Sequence, residues 1–71
     1  MMNETRRELL QALSELSQQL PELRMGQLIA NLATLARGPE VEGIWEADDN
    51  ELLEAARRQI EAARISHSAA A

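Results

Sequence analysis

The residues with most to offer chemistry lie between Glu40 and Glu54. This stretch holds seven acids, Glu40, Glu42, Glu46, Asp48, Asp49, Glu51 and Glu54, and no base. Carboxylates at this density can bind a cation, repel a phosphate backbone or hold a basic protein. The calcium option fails on spacing. An EF-hand loop opening at Asp48 needs an oxygen ligand at its fifth position and a glycine at its sixth, where Leu52 and Leu53 stand. The bland reading is that Asp48, Asp49 and Glu51 cap a helix while the remaining acids solvate a loop. The sharper one is an acidic surface that mimics nucleic acid or docks a basic protein, with binding that weakens as salt rises.

Catalysis has few raw materials. The chain has no Cys, Tyr or Lys, and its one histidine, His67, sits between Ser66 and Ser68 near the C-terminus. A serine nucleophile needs a base that is itself held by a third group, which a solvated tail cannot provide. One histidine cannot supply a zinc site. The glycines Gly26, Gly38 and Gly43 are isolated, so there is no phosphate-cradling loop. We therefore expect no enzyme, no cofactor and no metal.

A second polar group is Arg24, Gln27, Asn31 and Thr34, which fall on one stripe of a helix. Glutamine and asparagine are the usual readers of adenine, and the preceding helix and short Leu20–Leu23 link have helix-turn-helix proportions. Against this, basic residues occur only at the ends of the helix, Arg24 and Arg37. Phosphate contacts dominate affinity for DNA, so nucleic acid is not the expected partner. Two readings of the stripe stay open. Arg24, Gln27 and Asn31 bond the loop over 39–48 of their own chain, or they face a partner. Trp45, the sole aromatic, is likewise either a core plug between helices or an exposed interface anchor.

The elements that must position these residues are helical. Leu9, Leu13, Leu16 and Leu20 recur at spacings of 4, 3 and 4, the period of one helix face. Asn3 is a candidate N-cap, and Pro21 ends the helix near residue 19. Met25, Leu28, Ile29, Leu32, Leu35 and Ala36 form a second stripe, stopped by Gly38-Pro39. Beside it Gly26, Ala30 and Ala33 make a small-residue strip that another backbone can approach. Asp48-Asp49-Asn50-Glu51 reads as a capping box opening a third helix, whose stripe is Leu52, Leu53, Ala56, Ile60 and Ala63. The expected fold is all-α: a compact three-helix domain over 1–65 with helices at about 4–19, 24–37 and 49–64. A long second connection runs over 39–48, and 66–71 forms a disordered tail.

Composition bounds what such a domain can do. The 71 residues carry a net charge of −5, all of it from residues 39–71, because four arginines and four glutamates cancel over 1–38. Setting aside alanine and the two N-terminal methionines, only 18 large apolar side chains are available, eleven of them leucine. No disulfide staples so small a core, so a second copy or a foreign partner is expected to complete it. The leucine stripe of the first helix is the expected seam. No apolar run approaches the roughly 18 residues of a membrane span. The N-terminus lacks a basic-then-apolar signal profile, so a cytoplasmic location is expected.

The stretch from Leu20 to Leu32, with Arg24, Gly26, Gln27, Leu28 and Asn31, followed by Ile44-Trp45 and the acidic turn Asp48-Asp49-Asn50-Glu51-Leu52-Leu53, resembles a group of short, uncharacterised bacterial proteins. Their recurring pattern is Arg-x-Gly-Gln-Leu-x-x-Asn, an aromatic beside an aliphatic residue, then an acidic turn into Glu-Leu-Leu. The resemblance implies a compact helical domain and brings no catalytic residues with it. The resulting expectation is a small non-enzymatic interaction module that self-associates or docks on a larger protein. Its candidate contact residues are Leu9, Leu13, Leu16, Leu20, Arg24, Gln27, Asn31 and Trp45. A helix-turn-helix or antitoxin-type regulator is the first alternative, and an acidic inhibitor or mimic the second.

Overall fold

A computed structural model describes the backbone of residues 3–70 and the side chains of residues 3–65. It contains four helices, α1 (Glu4–Gln19), α2 (Met25–Arg37), α3 (Glu42–Glu46) and α4 (Asp49–Ala70), and no strand among the described residues.

The helix ends follow from side-chain chemistry. Asn3 caps α1, its Oδ1 accepting from the Arg6 N–H at 2.8 Å. Pro21 follows the last turn, where the Leu20 N–H still reaches the Leu16 carbonyl at 2.8 Å. Gln27 Oε1 accepts from the Arg24 N–H at 2.8 Å at the start of α2. Arginine has no side-chain acceptor to return that bond, so only half a capping box forms. Gly38, at φ 95°, ends α2 in a conformation that favours glycine, and its N–H bonds the Thr34 carbonyl at 2.7 Å. The capping box of α4 is complete. Asp48 Oδ1 accepts from the Glu51 N–H at 2.9 Å, and Glu51 Oε1 accepts from the Asp48 N–H at 3.1 Å.

Ion pairs show how the helices run. Arg6 meets Asp49 at 2.8 Å, Arg57 meets Glu8 at 2.8 Å and Arg64 approaches Glu15 at 3.9 Å. The partners ascend together, so α1 and α4 are parallel, with α2 antiparallel between them in chain order. The hydrogen bond and charge of Asp49 hold the Arg6 guanidinium above its ordinary pKa.

Three expectations need correction. The helix count is four, not three, because the long second connection contains α3. The Gly43 N–H bonds the Glu40 carbonyl at 3.0 Å and the Ile44 N–H bonds the Val41 carbonyl at 3.1 Å, so the chain turns helical at once after Glu40. The last helix also runs past residue 64 to Ala70. A lack of apolar residues does not stop a helix, whereas proline or glycine would, and 65–70 contains neither. The tail expected over 66–71 thus overlaps this helical backbone as far as Ala70; the side chains of 66–70 and all of Ala71 lie outside the described residues.

The third correction concerns the leucine seam. Leu9 and Leu16 are buried within the chain itself, with Ala12, Leu28, Leu32, Leu53, Ala55, Ala56 and Ile60. Leu13 and Leu20 pack against this core half-buried. The stripe expected to receive another molecule is covered because α4 lies along α1 and also packs on α2. Ala55 and Ala56 are fully buried, and their small side chains let α4 sit close to both neighbours.

Candidate interaction surface

The polar stripe of α2 does not serve the 39–48 segment. Arg24, Gln27 and Asn31 are exposed, and Gln27 is used within its own helix end. Neither Arg24 nor Asn31 has a side-chain hydrogen bond among the described residues. The segment instead crosses the far end of α2 through Gly43, which is buried. A Cβ placed on Gly43 would stand 3.4 Å from Arg37 Cβ and 3.6 Å from the Gly38 carbonyl oxygen. This close approach occupies the small-residue strip at Ala33, whose carbonyl lies 4.0 Å from the same point. At the other end of the strip Gly26 is exposed with nothing near it.

With Gly43 turned inward, the rest of α3 turns outward. At about 100° per residue, Val41 and Trp45 lie opposite Gly43, with Ile44 at the edge of that face. Val41, Ile44 and Trp45 are 70%, 48% and 86% exposed, respectively. The reading of Trp45 as a core plug therefore fails. Glycine makes the helix–helix contact, so no gap is left for an indole to fill. Glu40 and Glu42 stand on either side of Val41 in the chain, and both are exposed.

Arg37 lies where this facet meets the body. Its guanidinium meets Glu51 at 2.9 Å and 3.1 Å and Glu46 at 3.5 Å, which joins the ends of α2 and α3 to the start of α4. Val41, Ile44 and Trp45 do carry a helical 3-and-4 spacing in the sequence. The glycine inside that spacing masks the signal, and so does the rule that periodic apolar residues face a core.

Two other concave regions are weaker candidates. A cleft of about 390 Å³ between α1 and α4 is lined by Glu8, Glu15, Arg57, Glu61 and Arg64 among others. Those charges already pair with one another, so they are committed to holding the helices together. A second recess, near the starts of α1 and α4, includes Arg6 and Asp49, which are likewise paired. His67 lies outside the described side chains.

No known protein family, curated protein or solved structure matches the chain. No helix of the described residues is long and apolar enough to cross a membrane.

Proposed function

We propose that this chain is a small, non-enzymatic, cytoplasmic protein–protein interaction module, and that its contact surface is the outward face of α3. One observation carries the reading. Trp45 is 86% exposed on a helical turn that packs on α2 through the buried Gly43. Tryptophan is costly to leave in water and is enriched where interfaces concentrate their energy. Val41 and Ile44 extend the apolar surface beside it, and polar residues rim it. The likeness of Leu20–Leu53 to short bacterial helical proteins belongs to the same proposal, since Trp45 falls inside that pattern.

The test is capture of partners from the host by the immobilised protein, comparing wild type with Trp45→Ala at equal melting temperature. The proposal expects at least one stoichiometric partner, a second copy or another protein, held by wild type and lost from the variant. Identical capture by both would overturn it.

A helix-turn-helix or antitoxin-type regulator is the second reading, favoured by the exposed stripe of Arg24, Gln27, Asn31 and Thr34. Its weakness is charge, since Arg37 is engaged by Glu46 and Glu51. A gel shift at low salt with no retardation at micromolar protein removes it.

A further inference from the structure

We infer that the α3 facet receives a basic, amphipathic segment of another protein, rather than a second copy of this chain; this rests on the reading of α3 as the contact surface. The shape of the facet sets the apolar half of the requirement. Val41, Ile44 and Trp45 form a narrow exposed ridge with one large anchor, suited to one or two apolar side chains of an incoming segment.

The charge sets the other half. Glu40 and Glu42 stand on either side of Val41 in the chain and make no ion pair among the described residues. Glu46, Asp48, Asp49, Glu51 and Glu54 follow, and the sequence from Glu40 to Glu54 has no base. Of these, Asp49 is paired with Arg6, and Glu46 and Glu51 with Arg37, while Arg58 lies beside Glu51 and Glu54, so the unpaired acids nearest the ridge are Glu40 and Glu42. The field around the ridge is therefore negative and unneutralised at Glu40 and Glu42, and complementary charge steers a basic partner onto it.

The same field argues against self-association through this face. A two-fold interface would set each ridge against its copy. Glu40 and Glu42 of both chains would then be brought into one interface, in molecules that each carry −5. Like-charge juxtaposition opposes that contact.

The experiment is selection of random peptides of unbiased charge, displayed on phage, against the full immobilised chain. The selected peptides are synthesised and titrated against wild type, Trp45→Ala and the double variant Glu40→Gln/Glu42→Gln, each checked for an unchanged melting temperature. The expected peptides carry net positive charge and a large apolar residue, shift the Trp45 emission to the blue and lose binding to Trp45→Ala. Their affinity falls about tenfold in the double variant at low salt. It also falls for wild type between about 50 and 500 mM salt, a readout independent of any variant's folding. Peptides that need Trp45 but are neutral or acidic, and that ignore both salt and Glu40/Glu42, overturn the basic-partner inference and leave the interaction reading standing. A selection with no Trp45-dependent peptide overturns the interaction reading itself. Sedimentation showing a dimer that Trp45→Ala abolishes makes the occupant a second copy and overturns the inference.

Discussion

Arg37 and Glu51 meet through two contacts, Nε to Oε2 at 2.9 Å and Nη2 to Oε1 at 3.1 Å. The paired arrangement matches the fork of a guanidinium to the two oxygens of a carboxylate. Glu51 Oε1 also accepts from the Asp48 N–H, so one side chain caps α4 and ties the end of α2 to it. Arg37 reaches Glu46 as well, so the same guanidinium touches both α3 and α4.

Two substitutions at Glu51 separate its roles. Glu51→Gln keeps an acceptor for the cap and removes the charge. The pair is about one-third exposed on both sides, so the loss is expected at about 0.5 kcal/mol. Glu51→Ala also removes the acceptor for the Asp48 N–H, the Glu51 half of the capping box, and is expected to cost about 1 kcal/mol. Urea unfolding of both variants checks the order, and equal losses would mean that the cap contributes nothing.

Trp45→Ala is expected to leave stability within about 0.5 kcal/mol of wild type, as for an exposed side chain away from the core. Wild-type emission is expected to be that of a water-exposed indole, freely quenched by acrylamide. A loss of about 3–5 kcal/mol, the cost of truncating a buried aromatic, together with blue-shifted emission, would place the indole in the core instead.

The helix ends are legible in the amino-acid sequence because their causes are local. Asp48 and Glu51 satisfy each other's N–H groups at the start of α4, and proline acts on the turn before it at the end of α1. Features that depend on tertiary arrangement are not legible in the same way. The leucines of α1 specify a helix, but their spacing cannot say whether the covering surface is foreign or the chain's own α4. Ala55 falls outside the apolar stripe of α4 yet is buried, because a helix flanked by two neighbours buries a wider arc than one flanked by a single neighbour. Trp45 belongs to a residue type that favours burial, while the use of Gly43 as the α2 contact turns it outward.

Leu16 is fully buried and Leu10, less than two turns away on the same helix, is 47% exposed. Leu16→Ala is expected to cost about 2–5 kcal/mol, a large share of the stability of a domain this small. Leu10→Ala is expected to cost less than about 1 kcal/mol. Denaturation midpoints compare the two directly. Equal costs would mean that both leucines are buried in solution, as they would be if a second molecule covered the exposed edge of α1.

The three glycines should answer to alanine in three different ways. Gly26 lies in the first turn of α2 with open space around it, so Gly26→Ala is expected to stabilise by up to about 1 kcal/mol through helix propensity and a less flexible unfolded chain. Gly38 sits at φ 95°. Its alanine variant is expected to lose about 1–2 kcal/mol, because a Cβ there clashes with the local backbone. Gly43 leaves 3.4 Å between an added Cβ and Arg37 Cβ, which is van der Waals contact, so Gly43→Ala is expected to be close to neutral. A β-branched residue has no such room, and Gly43→Val is expected to push α3 off α2 and disturb Arg37. The readout is twofold: thermal melts rank the three alanines, and Trp45 fluorescence anisotropy reports whether α3 stays fastened. If Gly43→Val leaves both melting temperature and anisotropy unchanged, the close approach of α3 to α2 is not what orients the facet.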